Sequence, residues 1–417
     1  MSREAIEVTR LDDGLTVVTE ALPEARSVSL GFWVGTGSVD EDPSLAGTSH
    51  FLEHLLFKGT ATRSAREISR ATDSVGCDLN AFTTKEHTAF HAWLPSDRLD
   101  LALDVLSDII WAPAFRTGEV EAERQVILEE ILMHADTPGD AVHEVFGRAM
   151  WPGHPLGRDV LGEAETVSCI SRDQIAEFHE AHYRPGNLVV AAAGRVNHDR
   201  IVDGIAGRRV GVTGGGSPSR TAPPAPSRAA VVERRRTEQA HLVIGVAAPG
   251  RDDEDRHQLG ILDHVLGGGV SSRLFQSIRE DRGLAYSVYS YRLSFSGAGA
   301  LAVYAGTSAS HTEAVHALVV EELDRLAAEG VSEEELEGAK GHLRGSLVLG
   351  LEDPEARMSR LGYSQLVHGR VLSVEEVEQR ITGVTLEEVN ELAARVLTGP
   401  RVLAAIGPLP KRFGATV

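Results

Sequence analysis

The sequence predicts an α+β protein made of two duplicated α/β-sandwich domains with mostly antiparallel sheets. Two observations carry that expectation. A glycine- and proline-rich stretch, 211–230, holds Gly214-Gly215-Gly216-Ser217-Pro218 and Pro223-Pro224-Ala225-Pro226, a composition that cannot build a core. It divides the chain into a first domain, 1–210, and a second, 231–417. Features of the first part then recur in the second at a nearly constant offset. The apolar strand ending at Gly194 returns as Val402 to Gly407. Asp136-Thr137-Pro138 after a helix returns near Glu352-Asp353-Pro354, and the helix near Ile175 returns near Val389.

In chain order, Val8 to Arg10 and Leu15 to Thr19 read as a hairpin around the Asp12-Asp13-Gly14 turn. Ser27 to Val34 alternates as a half-buried strand should. Gly35-Thr36-Gly37-Ser38 and an acidic loop lead to a short amphipathic helix around His50. Val75 to Thr83 and His87 to Leu94 suggest a second antiparallel pair. Leu99 to Ile110 and Glu119 to His134 read as helices, the second ended by Asp136-Thr137-Pro138. Asn187 to Ala193 is a short apolar strand.

Composition narrows the function. The 417 residues are 42% hydrophobic and 24% charged, ordinary for a globular protein. A formal charge of −20 argues against nucleic acid, which needs a basic face, and is compatible with basic peptides. The two cysteines, Cys77 and Cys169, are too few for a disulfide framework and form no C-x-x-C pair. The N-terminus shows no apolar signal segment and no apolar run is long enough to cross a membrane, so a cytoplasmic protein is expected.

The chemistry sits in Gly47-Thr48-Ser49-His50-Phe51-Leu52-Glu53-His54. His50 and His54 are four apart and project from one helical face. Two imidazoles one turn apart can hold zinc, and the adjacent Glu53 can take the proton of a zinc-bound water. The pattern is H-x-x-E-H, the inverted form of the H-E-x-x-H metallopeptidase motif. Zinc needs a third protein ligand and one open position. The helix from Glu119 to His134 is the candidate source, with Glu123 and Glu130 seven apart on a face that also carries Ile127. Periodicity does not decide between Glu129 and Glu130. At the offset that carries Asp136 to Glu352, Glu130 corresponds to Ser346, and the second half has no H-x-x-E-H. It has instead Gly267-Gly268-Gly269, then Ser271-Ser272-Arg273-Leu274-Phe275, Arg279 and Tyr286. The glycine run lacks both the G-K-[ST] ending and the G-x-G-x-x-G spacing of phosphate loops.

His50-x-x-Glu53-His54, followed well downstream by Glu130, resembles the zinc signature of the M16 (pitrilysin-type, inverzincin) metallopeptidases, in their short, processing-peptidase-like branch. Leu11 to Val18, Phe57-Lys58-Gly59-Thr60, Asn80-Ala81-Phe82-Thr83, Glu123 to Glu130, Ser271 to Phe275 and Arg279 with Tyr286 carry the likeness along nearly the whole chain. The resemblance implies that His50, His54 and Glu130 bind one zinc ion per chain and that Glu53 is the general base. It implies that Glu123 is the family's second glutamate on the ligand helix and supports the site. Asn80, Ala81, Phe82 and Thr83 would form an edge strand that takes substrate as an added β-strand. Arg279 and Tyr286 would hold the substrate backbone and stabilise the oxyanion. Taken alone, Arg279 reads as a surface ion pair and Tyr286 as a core tyrosine.

The implied activity is zinc-dependent endopeptidase cleavage of short or unfolded peptides in a chamber. Each chain would be half of a dimeric clamshell, as a homodimer or a heterodimer with a related chain. The alternative is a non-catalytic scaffold or partner subunit. Family members of that kind have lost ligands that this chain retains. A zinc enzyme acting on a non-peptide is disfavoured by the strand Asn80 to Thr83.

Overall fold

The computed structural model describes residues 5–208 and 214–414. Six strands form the first sheet: β1 (Ile6–Arg10), β2 (Thr16–Ala21), β3 (Ser27–Val34), β4 (Asp78–Thr83), β5 (Thr88–Pro95) and β6 (Leu188–Gly194). Their order is β1-β2-β6-β3-β5-β4, with β2 parallel to β6 and the other pairings antiparallel. Five strands form the second: β7 (Ala229–Arg234), β8 (Gln239–Ala248), β9 (Ala285–Phe295), β10 (Ala298–Ser308) and β11 (Val402–Gly407). Their order is β7-β11-β8-β10-β9, with β7 parallel to β11 and the rest antiparallel.

Without β1 the two sheets have the same order and the same strand directions. β2, β6, β3, β5 and β4 correspond to β7, β11, β8, β10 and β9. The helices follow suit, Thr117–Ala135 matching Glu333–Gly350 and Arg172–His182 matching Leu386–Leu397. The duplication expected from weak sequence offsets is therefore plain in topology. Of the stretch 211–230, residues 214–228 carry no helix or strand, Ala229 and Ala230 already belong to β7, and 211–213 lie outside the described residues.

β3 is not half-buried as its alternation suggests: Val28 to Val34 are all buried. Val28, Leu30, Phe32 and Val34 face a core shared with Leu103, Leu106 and Ile109 of the helix Leu99–Trp111. Trp33 faces the other way, with Val18, Val189, Ala191 and Ala193, and meets Met358 and Leu361 of the helix Pro354–His368. Trp33 Nε1 donates to Met358 Sδ at 3.4 Å, and Arg357 pairs with the buried Glu20 of β2. Burying one large apolar side chain contributes about 1.5–3 kcal/mol, so a sheet apolar on both faces needs cover on both.

The second sheet is covered in the same way by the helix Pro138–Met150. Its Phe146 lies over Gly245 of β8, and His143 Nδ1 is 2.7 Å from the Tyr291 hydroxyl of β9. The covering helix of each sheet thus comes from the other half of the sequence, and the two helices are themselves counterparts, each opening on the proline of a recurring Asp-Thr-Pro or Glu-Asp-Pro turn.

The compact units are accordingly not contiguous in sequence. One comprises Met1–Ile131, Asp159–Ser219 and Val348–Ser373; the other comprises Leu132–Arg158, Arg220–Leu347 and Val374–Val417. Packing thus exchanges one helix between the two repeats. Among the described residues no helix is long and apolar enough to cross a membrane.

Candidate metal centre

The helix Thr48–Leu56 starts where Gly47 takes φ +97°, a backbone that a side chain would strain. The buried Glu41 carboxylate accepts from Gly47 N–H at 2.8 Å and from Ser49 N–H at 2.7 Å, closing the helix N-terminus with a negative charge. Phe51, Leu52, Leu55 and Leu56 are buried and pin one face to the core, leaving His50, Glu53 and His54 on the other, half-buried side.

There the two Nε2 atoms stand 3.2 Å apart. Glu130 Oε2 lies 3.8 Å from His50 Nε2 and 3.6 Å from His54 Nε2. Among the described residues this is the one group of three or more His, Cys, Asp or Glu side chains able to hold a metal ion. Ligands at about 2.0–2.2 Å in a tetrahedral shell stand roughly 3.3–3.6 Å from one another, so the spacing fits a single zinc ion. Glu129, which periodicity left open, is exposed and outside the group.

Glu123 is buried one turn below Ile127 on the same helix. Its Oε1 lies 2.8 Å from His54 Nδ1, and its Oε2 accepts from Lys58 Nζ at 2.7 Å. Burial pushes the Glu123 carboxyl up, but the His54 and Lys58 bonds outweigh it and leave it below the ordinary range. Burial, with the neighbouring His54, lowers His50 to about 4, so its ring is neutral near pH 7. His54 moves the other way. Burial lowers it, but the Glu123 bond and the charges of Glu130, Glu123 and Glu53 raise it on balance.

Glu53 is raised, chiefly by burial, and its Oε2 accepts from Thr83 Oγ1 at the end of β4. β4 is the terminal strand of its sheet, so its far edge is unpaired among the described residues. On it Asn80 is exposed, its Oδ1 accepting from Ala81 N–H, while Ala81, Phe82 and Thr83 are half-buried. Phe82 packs edge-on against Trp33.

Arg279 and Tyr286 belong to the other unit. Arg279 lies on the wide helical turn Phe275–Glu280, its guanidinium 4.7 Å from the ring centres of both Phe275 and Tyr286. Tyr286, at the start of β9, is 79% exposed, which removes the core-tyrosine reading. Among the described residues the ion-pair reading of Arg279 rests only on Glu280 at 4.0 Å.

The Insulinase (Peptidase family M16) profile matches residues 16–164, and the Peptidase M16 inactive domain profile matches residues 170–343. An uncharacterized zinc protease of Streptomyces coelicolor is 45% identical over 409 residues, covering 96% of this chain and 89% of its own. Another, from Mycobacterium tuberculosis, is 45% identical over 430 residues, covering 98% and 96%. The chain belongs to the M16 peptidase family. A third relative, an uncharacterized zinc protease of Bacillus subtilis, is 38% identical over 396 residues, covering 95% and 97%. A solved protease from Helicobacter pylori shares the fold, with a TM-score of 0.91 at 20% identity over 97% of this chain and 100% of that one. The inactive-domain match falls largely on the half without an H-x-x-E-H, whereas the metal group lies within the first match.

Sequence reasoning missed Lys58 and the bond from Thr83 to Glu53. Lys58 had a readable signal, since it stands four positions after His54 and so continues the same helical stripe. The Thr83 bond joins two elements distant in sequence, and no local pattern encodes it.

Proposed function

We propose that the protein is a zinc-dependent endopeptidase that hydrolyses short or unfolded peptides, with Glu53 as general base. The observation that carries this reading is the convergence of His50, His54 and Glu130 donor atoms on the face that presents Glu53. Two imidazoles and a carboxylate suit zinc and leave one position open. A zinc ion held by His50, His54 and Glu130 would supply Lewis acidity toward the scissile carbonyl and the attacking water. Glu53 accepts the water proton and returns it to the leaving amine. With Thr83 on Oε2, that transfer falls to Oε1. The peptide adds along β4 at Asn80 to Thr83, which brings its backbone to the residue that holds the base. Arg279 and Tyr286 hold the substrate backbone and stabilise the developing oxyanion.

By analogy with the family, two chains, identical or related, enclose a cytoplasmic chamber and lend Arg279 and Tyr286 to each other's zinc site. Incubating wild type and Glu53→Gln with a peptide mixture, read by mass spectrometry, tests the chemistry. Products from both proteins alike would overturn it. Mixing inactive Glu53→Gln and Arg279→Ala chains tests the sharing. Activity should return, and a mixture that stays silent counts against it.

A further inference from the structure

We propose that Lys58 is a positioning residue of the metal centre, acting through Glu123 on His54; the inference rests on the metal-binding half of the reading above. The Phe57-Lys58-Gly59-Thr60 segment has no role in the chemistry described so far. Its backbone is fixed on both sides of Lys58. Upstream, Phe57 N–H bonds to His54 O at 3.3 Å and Lys58 N–H to Leu55 O at 3.0 Å, extending the helical path. Downstream, Gly59 turns the chain at φ +122°, and a Cβ there would stand 2.8 Å from Arg63 O. Thr60 then bonds through N–H to Arg63 O at 2.8 Å and through Oγ1 to Asp108 at 2.6 Å. The lysine stem therefore leaves a rigid corner on the side of the helix that carries His54.

Its ammonium reaches a carboxylate only 6% exposed, while the lysine side chain keeps 34% of its own surface. Among the described residues each Glu123 oxygen has one partner, Oε1 with His54 Nδ1 and Oε2 with Lys58 Nζ. Removing the ammonium leaves a buried carboxylate oxygen unsatisfied, a state relieved by turning the side chain toward water. That rotation takes the fixed acceptor away from His54 Nδ1. The ring then loses the bond that selects its tautomer and aims Nε2 at the metal position.

Zinc affinity of Lys58→Met, measured by chelator competition, should fall about tenfold, the lower end of what the loss of such supporting groups costs. Lys58→Arg should stay within about threefold of wild type, because it keeps a cation at the same corner. Glu123→Gln supplies the decisive background. If Lys58 acts through Glu123, adding Lys58→Met to it changes zinc affinity no further. The absorption spectrum of the cobalt-substituted protein should shift in Lys58→Met and not in Lys58→Arg, a signature that a merely stabilising surface lysine would not move. Wild-type affinity in Lys58→Met, an equal tenfold loss in both backgrounds, or a loss in Lys58→Arg as large as in Lys58→Met overturns the proposal. Zinc binding without peptide cleavage would leave it standing while the peptidase reading fails. Absence of zinc binding in wild type would end both.

Discussion

In the first unit the His50 and His54 rings meet at 68° with centres 4.5 Å apart; in the second, His264 and His342 lie at 18° and 4.1 Å. The supporting helices are counterparts. Arg256–Gly267 follows β8 as Thr48–Leu56 follows β3, and Glu333–Gly350 matches Thr117–Ala135. A cation is bound in the plane of an imidazole, along the nitrogen lone pair. Rings set edge to face share such a point, whereas stacked rings keep their lone pairs in parallel planes. The carboxylates differ too, because Ala339 and Ser346 stand at the positions that the repeat pairs with Glu123 and Glu130. Duplication thus reproduced sheets and helices without reproducing the donor set, and function here follows the site, not the scaffold.

The comparison is sharpest at Glu53. Glu53→Gln should lower peptide hydrolysis by about 10²–10⁴-fold, the usual contribution of a positioned general base, with bound zinc unchanged by metal analysis. The metal itself is the next test. Wild type should carry one zinc per chain, and His50→Ala or Glu130→Ala should lose it. The double variant His264→Ala, His342→Ala should retain it in full, and a drop in its zinc content would break the contrast between the units.

A third test addresses what the units have in common. Phe146→Ala should cost about 3–5 kcal/mol and Leu361→Ala about 2–5 kcal/mol in denaturant unfolding, since both lie fully buried on the exchanged helices. A much smaller loss in one would show that its sheet does not depend on the borrowed helix.

The smallest effect is electrostatic and confined to the second unit. Arg273 donates to both Glu335 oxygens at 2.7 and 2.8 Å; this bond outweighs burial and, helped by Ser332 N–H, holds Glu335 at about 2. A carboxyl lowered in the folded state stabilises it above the ordinary range near 4.5, and that contribution fades as pH falls from there through about 2. Unfolding free energy followed across that window should lose part of its pH slope in Arg273→Met. An unchanged slope would show that the pair is only a surface contact.

Much of this was legible in the sequence, for identifiable reasons. Helix periodicity placed His50 and His54 on one face with Glu53 beside them, and a heptad spacing placed Glu123 with Glu130, because a helix translates spacing directly into direction. Choosing Glu130 over Glu129 needed the family likeness or the structure, since the two differ by one helical step and only tertiary packing decides which points inward. β3 looked half-buried because Ser29 and Gly31 mimic polar alternation, whereas the cover for that face lies in the other half of the sequence, in Met358 and Leu361. Tyr286 could be read as a core tyrosine until its 79% exposure removed that reading.

The exchanged helices also set the order in which the protein can be completed on the ribosome. The first sheet has all its strands once Gly194 has been made, yet the helix that covers Trp33, Val189 and Ala191 ends at His368. At about 5–20 residues per second, the nascent chain carries that apolar face bare for on the order of ten to thirty seconds. Translation speed between those two points governs how long the newborn chain is open to aggregation, and slow codons in the second repeat would lengthen the exposure of the first.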